Sequence, residues 1–259
     1  MTEMNHEIRG QTLWIEFNRP QARNALTFGM YEGLAELCQT VPTDGSVRAV
    51  VLSGAGKAFC AGHDLKQMTA GRQAEDGGKA YFNALFAQCA HMMLSIRALP
   101  QPVIAAPHGI ATAAGCQLVA TCDMAIAQSG TRFGVNGVNI GLFCSTPMVA
   151  LSRNIGRKQA FEMLTTGSFI EADRAAELGL INRVSEDAVV DALALAETVA
   201  SKLAAAVKIG KEGFYKQAEM SLEEAYAYTG AAMAENMLFR DTEEGISAFL
   251  EKRTPTWEQ

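Results

Sequence analysis

Two stretches of small residues offer a ligand close access to the main chain. One runs Ser53-Gly54-Ala55-Gly56-Lys57-Ala58-Phe59-Cys60-Ala61-Gly62-His63-Asp64-Leu65, and the other is Ala113-Ala114-Gly115-Cys116-Gln117-Leu118. Exposed backbone N–H groups at such places can stabilise negative charge developing on an oxygen. A helix beginning near Ala113 would add the positive end of its dipole. Runs of Gly and Ala are equally compatible with tight turns. A phosphate-binding Walker loop is excluded because no Gly-Lys-Ser/Thr follows at the required spacing, and a Rossmann fingerprint fails for want of its third glycine. Around these stretches stand a few side chains with chemistry of their own. His63 titrates near neutrality in its ordinary form. Asp64 is a turn former or a base. Cys116 and Cys144 are nucleophiles or small core fillers. Asn136 and Asn139 can hold a water or an acyl hydroxyl but cannot act as bases. His91, in a helical segment, and His108, in a turn, read as structural.

The elements that must carry these residues alternate between strand and helix. Thr12-Leu13-Trp14-Ile15-Glu16-Phe17 has strand composition, and Asn18-Arg19-Pro20 breaks it. Thr27 is a plausible cap for a helix through Leu34, Leu37 and Cys38. Arg48-Ala49-Val50-Val51-Leu52 is a buried strand, and residues 57–66 are a loop and turn. Helical spacing from Lys79 to Leu99 ends at Pro100 and Pro102. Val103-Ile104-Ala105-Ala106 and Asp123-Met124-Ala125-Ile126-Ala127 are short strands on either side of a helix starting near Ala113. After Pro147 the chain reads as almost wholly helical to Trp257, with a helix-to-helix joint at Ala204-Ala205-Ala206. This is an α/β core over 1–200 followed by a helical region over 201–259.

The long first stretch closely resembles the SGxGxxFCAGxDL signature of the crotonase (enoyl-CoA hydratase/isomerase) superfamily, and the second resembles its GGGCEL segment. The resemblance extends along the chain. Asn18-Arg19-Pro20 with Arg23-Asn24-Ala25-Leu26 is similar to the NRPxxxNAL motif, and Thr121-Cys122-Asp123-Met124-Ala125-Ile126-Ala127 to the CDIxIA strand. The segments 171–184 and 245–253 resemble the family's A-x-x-A-x-x-x-G-L-V-x-x-V block and its EGxxAFxEKR ending. The resemblance implies a spiral of ββα units with a carboxy-terminal helical trimerisation region, as a trimer or a dimer of trimers. It implies a coenzyme A thioester as substrate or ligand, no tightly bound cofactor, no metal, and acyl-CoA lyase or isomerase chemistry in fatty acid metabolism. The thioester carbonyl would sit in an oxyanion hole made by the backbone N–H groups of His63 and Ala114. Coenzyme A would meet Arg23, Ala61, His63, Asp64, Leu65 and Lys66. Phe249 and Lys252 would complete the adenine end of a neighbouring subunit's site. Arg19, Arg23, Lys57 and Lys66 are the candidate phosphate contacts.

Two departures bear on the chemistry. Gln117 stands where the family's hydratases have one glutamate, and Gly137 in Phe133-Gly134-Val135-Asn136-Gly137-Val138-Asn139-Ile140-Gly141 stands where they have the other. An amide can orient a water but cannot take its proton. Ordinary hydratase turnover is therefore expected to be weak or absent, with Gln117 and Asn139 left as polar candidates, and a non-catalytic acyl-CoA-binding protein is the alternative. Restoring glutamate at 117 and 137 together is expected to raise hydration more than either change alone, with a partial gain because the side chain at 137 must fit a pocket shaped for glycine.

Bulk properties agree with these expectations. The 259 residues, 49% hydrophobic and 19% charged, suit one large domain. The net charge of −6, with no basic stripe, gives no footprint for nucleic acid, and an anionic ligand would need local cations. The six cysteines form no CxxC pair that would suggest zinc. No uncharged apolar run approaches the ~20 residues of a membrane span. Free thiols and an amino terminus without signal-peptide character point to the cytoplasm.

Overall fold

Strands form where apolar runs are bracketed by breakers, and they stack in an order that brings the two small-residue stretches to one side. A computed structural model describes residues 2–42 and 44–258. The strands are β1 Met4–Arg9, β2 Thr12–Phe17, β3 Ala49–Gly54, β4 Val103–Ala105, β5 Ile110–Thr112, β6 Met124–Gln128, β7 Arg132–Gly134, β8 Phe169–Glu171 and β9 Arg183–Ser185. The helices are α1 Phe28–Thr40, α2 Leu65–Gly71, α3 Lys79–Ala98, α4 Ala114–Thr121, α5 Ser145–Asn154, α6 Arg157–Thr166 and α7 Ala172–Leu178. They continue as α8 Ala188–Ala200, α9 Ala204–Gln217, α10 Leu222–Met237 and α11 Arg240–Glu251. One sheet has the order β1-β2-β3-β4-β6-β9, parallel from β2 onward, and a second has the order β5-β7-β8. The α/β class with a helical carboxy-terminal region is as expected.

Each face of the larger sheet has its own cover. Ala49, Val51, Ile104 and Ala106 pack against Ala188, Ala192 and Ala196 of α8. Alanine at every fourth position lets that helix lie close to the strands. The opposite face looks into the main core, where Phe17, Phe59, Tyr31, Met30 and Leu52 are almost fully enclosed.

Three expectations are corrected. The segment after Pro147 is not wholly helical, because β8 and β9 interrupt it. β5 precedes α4 where only a turn was expected. These strands have three residues each, too few to display a period of two. The joint between α8 and α9 lies at Ser201–Leu203, and Ala204–Ala206 are already helical.

The carboxy-terminal helices are tied to the core by a buried ion pair. Lys211 Nζ on α9 lies 2.7 Å from Asp123 and donates to the carbonyls of Gln101 and Ile96. Asp123 also accepts from Tyr215 Oη at 2.7 Å and from the Val103 N–H at 2.6 Å. Among the described residues no helix is long and apolar enough to cross a membrane.

Candidate functional site

The NRPxxxNAL-like segment acts as a brace. Asn24 is fully buried with φ +52°, donates to the carbonyls of Ala55 and Ala58 at 2.9 and 2.7 Å, and accepts from the Arg19 N–H at 2.8 Å. Asparagine tolerates the left-handed region better than most residues. Arg19 pairs with Asp64 at 3.0 Å and with Glu3 at 3.1 Å, so it is committed to the brace. Asp64 caps α2 by accepting from the N–H groups of Lys66 and Gln67. Burial alone would raise its carboxyl, but the hydrogen bonds from Arg19, Gln67 and Lys66 prevail and hold it below the usual carboxylate range. It is built as a cap and an ion pair, which explains its place in the motif without a role as base.

The brace presents residues 60–64 to the start of α4. Cys60 bridges Ala111 in parallel, with Cys60 N–H donating to Ile110 and Thr112 N–H donating to Cys60. Gly62 has φ +87°, and a Cβ there would lie 2.9 Å from Ala113 Cβ and 3.3 Å from Ala114 N. A Cβ on Gly115 would lie 2.2 Å from the Cys60 carbonyl oxygen. The two stretches are thus in direct contact, and glycine at 62 and 115 is what permits it.

Both candidate donors point away from their neighbours. In the parallel bridge between Leu26 and His63, Leu26 N–H donates to Gly62 and Asp64 N–H donates to Leu26. That pairing engages the residues flanking His63 and turns its own N–H to the other side. Ala114 is the first residue of α4, whose opening N–H groups have no partner within the helix, and its N-cap, Ala113, offers no side-chain acceptor. Ala113 itself sits at φ +52°, ψ −118°, an unusual conformation for alanine.

These amides border an apolar cavity of about 280 Å³. Ala61, His63, Leu65 and Met68 form one wall with Phe86 of α3, and Thr112, Ala113 and Ala114 form its floor. The far side is Asn136, Gly137 and Ile140 from the 3-10 turn Asn136–Ile140, with residues 142–147 beyond. The ionisable side chains of this lining are those of His63 and Cys144. Burial lowers the His63 imidazole to about 4, so it is neutral at physiological pH. Burial raises the Cys144 thiol, and burial pushes the Cys116 thiol up to about 12, so neither is an activated thiolate. A larger cleft of about 470 Å³ beside α9, lined by Asp44, Arg48, Gln101 and Lys208, contains neither motif.

The remaining candidates are scattered. Gln117 is buried on α4 outside the cavity lining, and its Oε1 has no hydrogen-bond partner among the described residues. Asn139 is exposed and donates to the Gly167 carbonyl; Asn136 is the asparagine on the cavity wall. Thr112 donates to Asn136 Oδ1 at 2.6 Å. Arg23, Lys57 and Lys66 are exposed. Phe249 is 82% exposed and, like Lys252, lies on the α11 tail outside this cavity. His91 is exposed on α3, and His108 Nε2 is 3.0 Å from the Gly56 carbonyl. Among the described residues no three His, Cys, Asp or Glu side chains are grouped to hold a metal.

The space around Gly137 bears on the expected double restoration. A Cβ there would stand 2.3 Å from the Leu142 carbonyl oxygen and 2.9 Å from Cys144 Sγ. The Leu142 carbonyl and the Cys144 side chain fill the space through which a glutamate would have to leave the main chain. Sequence reasoning also missed Tyr31, whose hydroxyl is 2.5 Å from His63 Nδ1. Its only signal was an apolar position on α1.

The pattern of the enoyl-CoA hydratase/isomerase family matches residues 7–259. Enoyl-CoA hydratase domain-containing protein 3, mitochondrial, of Danio rerio is 42% identical over 253 residues, covering 97% of this chain and 86% of the relative. The Homo sapiens protein of that name is 42% identical over 245 residues, covering 94% and 79%. A crystal structure of an enoyl-CoA hydratase from Mycobacterium smegmatis superposes with a TM-score of 0.94 at 52% identity and full coverage of both chains. The structure of human enoyl Coenzyme A hydratase domain-containing protein 3 gives 0.93 at 39% identity, covering 99% and 100%. The cytoplasmic expectation is corrected by these names, since the relatives from Danio rerio, Xenopus laevis and Homo sapiens are all named mitochondrial. Free thiols and the residues of the amino terminus do not distinguish one reducing compartment from another.

Proposed function

Because this chain belongs to the enoyl-CoA hydratase/isomerase family, we propose that it binds acyl-CoA thioesters and stabilises a thioester enolate between the N–H groups of His63 and Ala114. The observation that carries this is the contact of Gly62 with the start of α4, which sets two outward-turned amides at the border of one apolar cavity. Two fixed donors favour the enolate over the neutral carbonyl, and each is typically worth ~3 kcal/mol. The dipole of α4 acts in the same sense. Arg23, whose carbonyl accepts from the Ala61 N–H, and Lys66 are both exposed and are assigned to the coenzyme A phosphates, and Phe249 and Lys252 to a neighbouring subunit's nucleotide.

The lining has no carboxylate or amine, so turnover as a hydratase is expected to be weak. This specifically favours a second reading, a non-catalytic acyl-CoA-binding protein. A panel of acyl-CoA thioesters, assayed for binding and turnover in parallel, separates the two. Binding with turnover of one class supports the enzyme, binding without turnover supports the carrier, and no binding by folded protein sinks both.

The helical region 201–259 is assigned to trimer formation. Leu222, Tyr226, Met233 and Met237 form an exposed stripe on α10, and Leu238 and Leu250 are exposed beside it. Burial of so much apolar surface favours self-association as a trimer or dimer of trimers. Light scattering that shows a monomer at micromolar concentration overturns this assignment.

A further inference from the structure

His63 contributes more to the cavity than its backbone. Its ring is pinned from two sides. Tyr31 lies behind it, 1% exposed on α1, with its hydroxyl against Nδ1 and the ring centroids 6.0 Å apart. Phe86, a cavity wall residue, meets the imidazole edge-on at 5.6 Å with the planes at 75°. The ring therefore has one orientation, with its Nδ1 edge toward the core.

The Tyr31 hydroxyl also sets the tautomer. It has two acceptors within range, His63 Nδ1 at 2.5 Å and the Leu26 carbonyl at 3.5 Å. With a proton on Nδ1 the phenol would have only the Leu26 carbonyl, at 3.5 Å, to donate to, whereas a bare Nδ1 gives it a near acceptor. The phenol thus donates to Nδ1, and the single proton of the neutral imidazole resides on Nε2. Burial keeps both groups uncharged: the phenol is raised far above its ordinary range and the imidazole is lowered to about 4. The side chain is a fixed, neutral N–H donor.

Its surroundings offer little to satisfy it. Leu65, Met68, Phe86, Ile140, Leu142 and Phe143 dominate the lining. The Thr112 hydroxyl donates its one proton to Asn136 Oδ1 at 2.6 Å, and among the described residues neither it nor the lining hydroxyls of Ser145 and Thr146 form a hydrogen bond with Nε2. When an acyl chain displaces water, Nε2–H is desolvated, and an unpaired buried donor opposes binding. Because the backbone N–H of the same residue is assigned to the thioester oxygen, the ring reaches the acyl carbons nearest that carbonyl.

We infer that His63 is a specificity-determining residue whose Nε2–H reads a hydrogen-bond acceptor on the acyl carbons next to the thioester carbonyl, and that Tyr31 is its positioning residue. This rests on the acyl-CoA reading above. Acyl groups bearing an oxygen at those carbons are favoured over plain saturated chains of the same length, because only the former pair with the donor. A site that holds a buried polar group discriminates strongly against ligands that leave it unpaired.

The test is calorimetric binding of coenzyme A, butyryl-CoA, 3-hydroxybutyryl-CoA and acetoacetyl-CoA to the full-length protein. The expected result is that wild type binds the two oxygenated thioesters at least about tenfold more tightly than butyryl-CoA. His63→Phe keeps the aromatic packing and brings that ratio close to one. Tyr31→Phe removes one oxygen and lowers the ratio of oxygenated to saturated affinity. In Tyr31→Phe, imidazole nitrogen spectra change from a single Nε2–H tautomer to a mixture, a signature that a merely structural tyrosine would not give. If His63→Phe does not fold, Tyr31→Phe and His63→Gln, which keeps a donor and part of the preference, carry the test. Equal affinity of wild type for all three thioesters, or a preference that survives unchanged in the variants, overturns the inference while leaving acyl-CoA binding intact. Failure of every thioester to bind more tightly than coenzyme A overturns the acyl-CoA reading itself.

Discussion

Gly137→Ala tests how much room the cavity wall leaves for a side chain at this position. A Cβ at 137 begins 2.3 Å from the Leu142 carbonyl oxygen and 2.9 Å from Cys144 Sγ. Ordinary contact requires a retreat of about 1 Å by backbone that cannot rotate aside. The loop is also held in place, since Leu142 N–H donates to the Gly137 carbonyl at 3.0 Å. Overpacking of this kind costs about 1–3 kcal/mol. For a domain of this size that lowers the melting temperature by about 2–10 °C. The same displacement moves Leu142, Phe143 and Cys144, all cavity wall residues, so acyl-CoA affinity falls while coenzyme A affinity changes less. Urea unfolding at fixed protein concentration gives the stability, and calorimetry gives the binding. Gly137→Glu carries the same Cβ with a longer side chain, so the Gln117→Glu, Gly137→Glu pair gains no hydratase turnover beyond Gln117→Glu alone. An unchanged urea midpoint with unchanged acyl-CoA affinity in Gly137→Ala would refute this reasoning, because residues 141–144 would then give way freely.

Further outcomes follow from the same contacts. Lys211→Met leaves Asp123 buried beside Tyr215 and the Val103 N–H without its cation, and denaturant unfolding is expected to show a loss of about 3–5 kcal/mol. Asn24→Ala removes three buried hydrogen bonds and puts alanine at φ +52°; a loss of roughly 3 kcal/mol is expected, with weakened acyl-CoA binding because the brace behind residues 60–64 loosens. The depressed pKa of His63 makes the unfolded chain bind the extra proton first. Stability therefore falls as pH drops from the unfolded value of 6.5 toward about 4, by up to about 3 kcal/mol, and levels off below. Unfolding free energies at pH 7 and pH 5 measure this slope, and His63→Phe should flatten it; an equal slope in that variant would assign it to another group.

Much of the site was legible from residue types alone. The two small-residue stretches, the Thr27 cap, the strand of β3 and the helix of α3 are local patterns, written in spacing and breakers that any fold must respect. Gln117 and Gly137, at the two positions where the resemblance leads one to expect glutamate, were visible as two letters. The family likewise follows from motifs distributed along the chain. Tertiary structure decided the rest. Whether a glutamate can be restored depends on the Leu142 carbonyl, five residues away and folded back by a turn. Asp64 and Arg19 turned out to be partners of each other because the segment 18–26 wraps behind residues 60–64. The state of His63 depends on Tyr31, thirty-two positions earlier in the chain and facing inward from α1. Sequence spacing reports contacts along one helix or strand. Desolvation, a hydrogen-bond partner from another element and the space left by a distant backbone arise only when the core closes, and these set the charge of an imidazole and the room for a side chain.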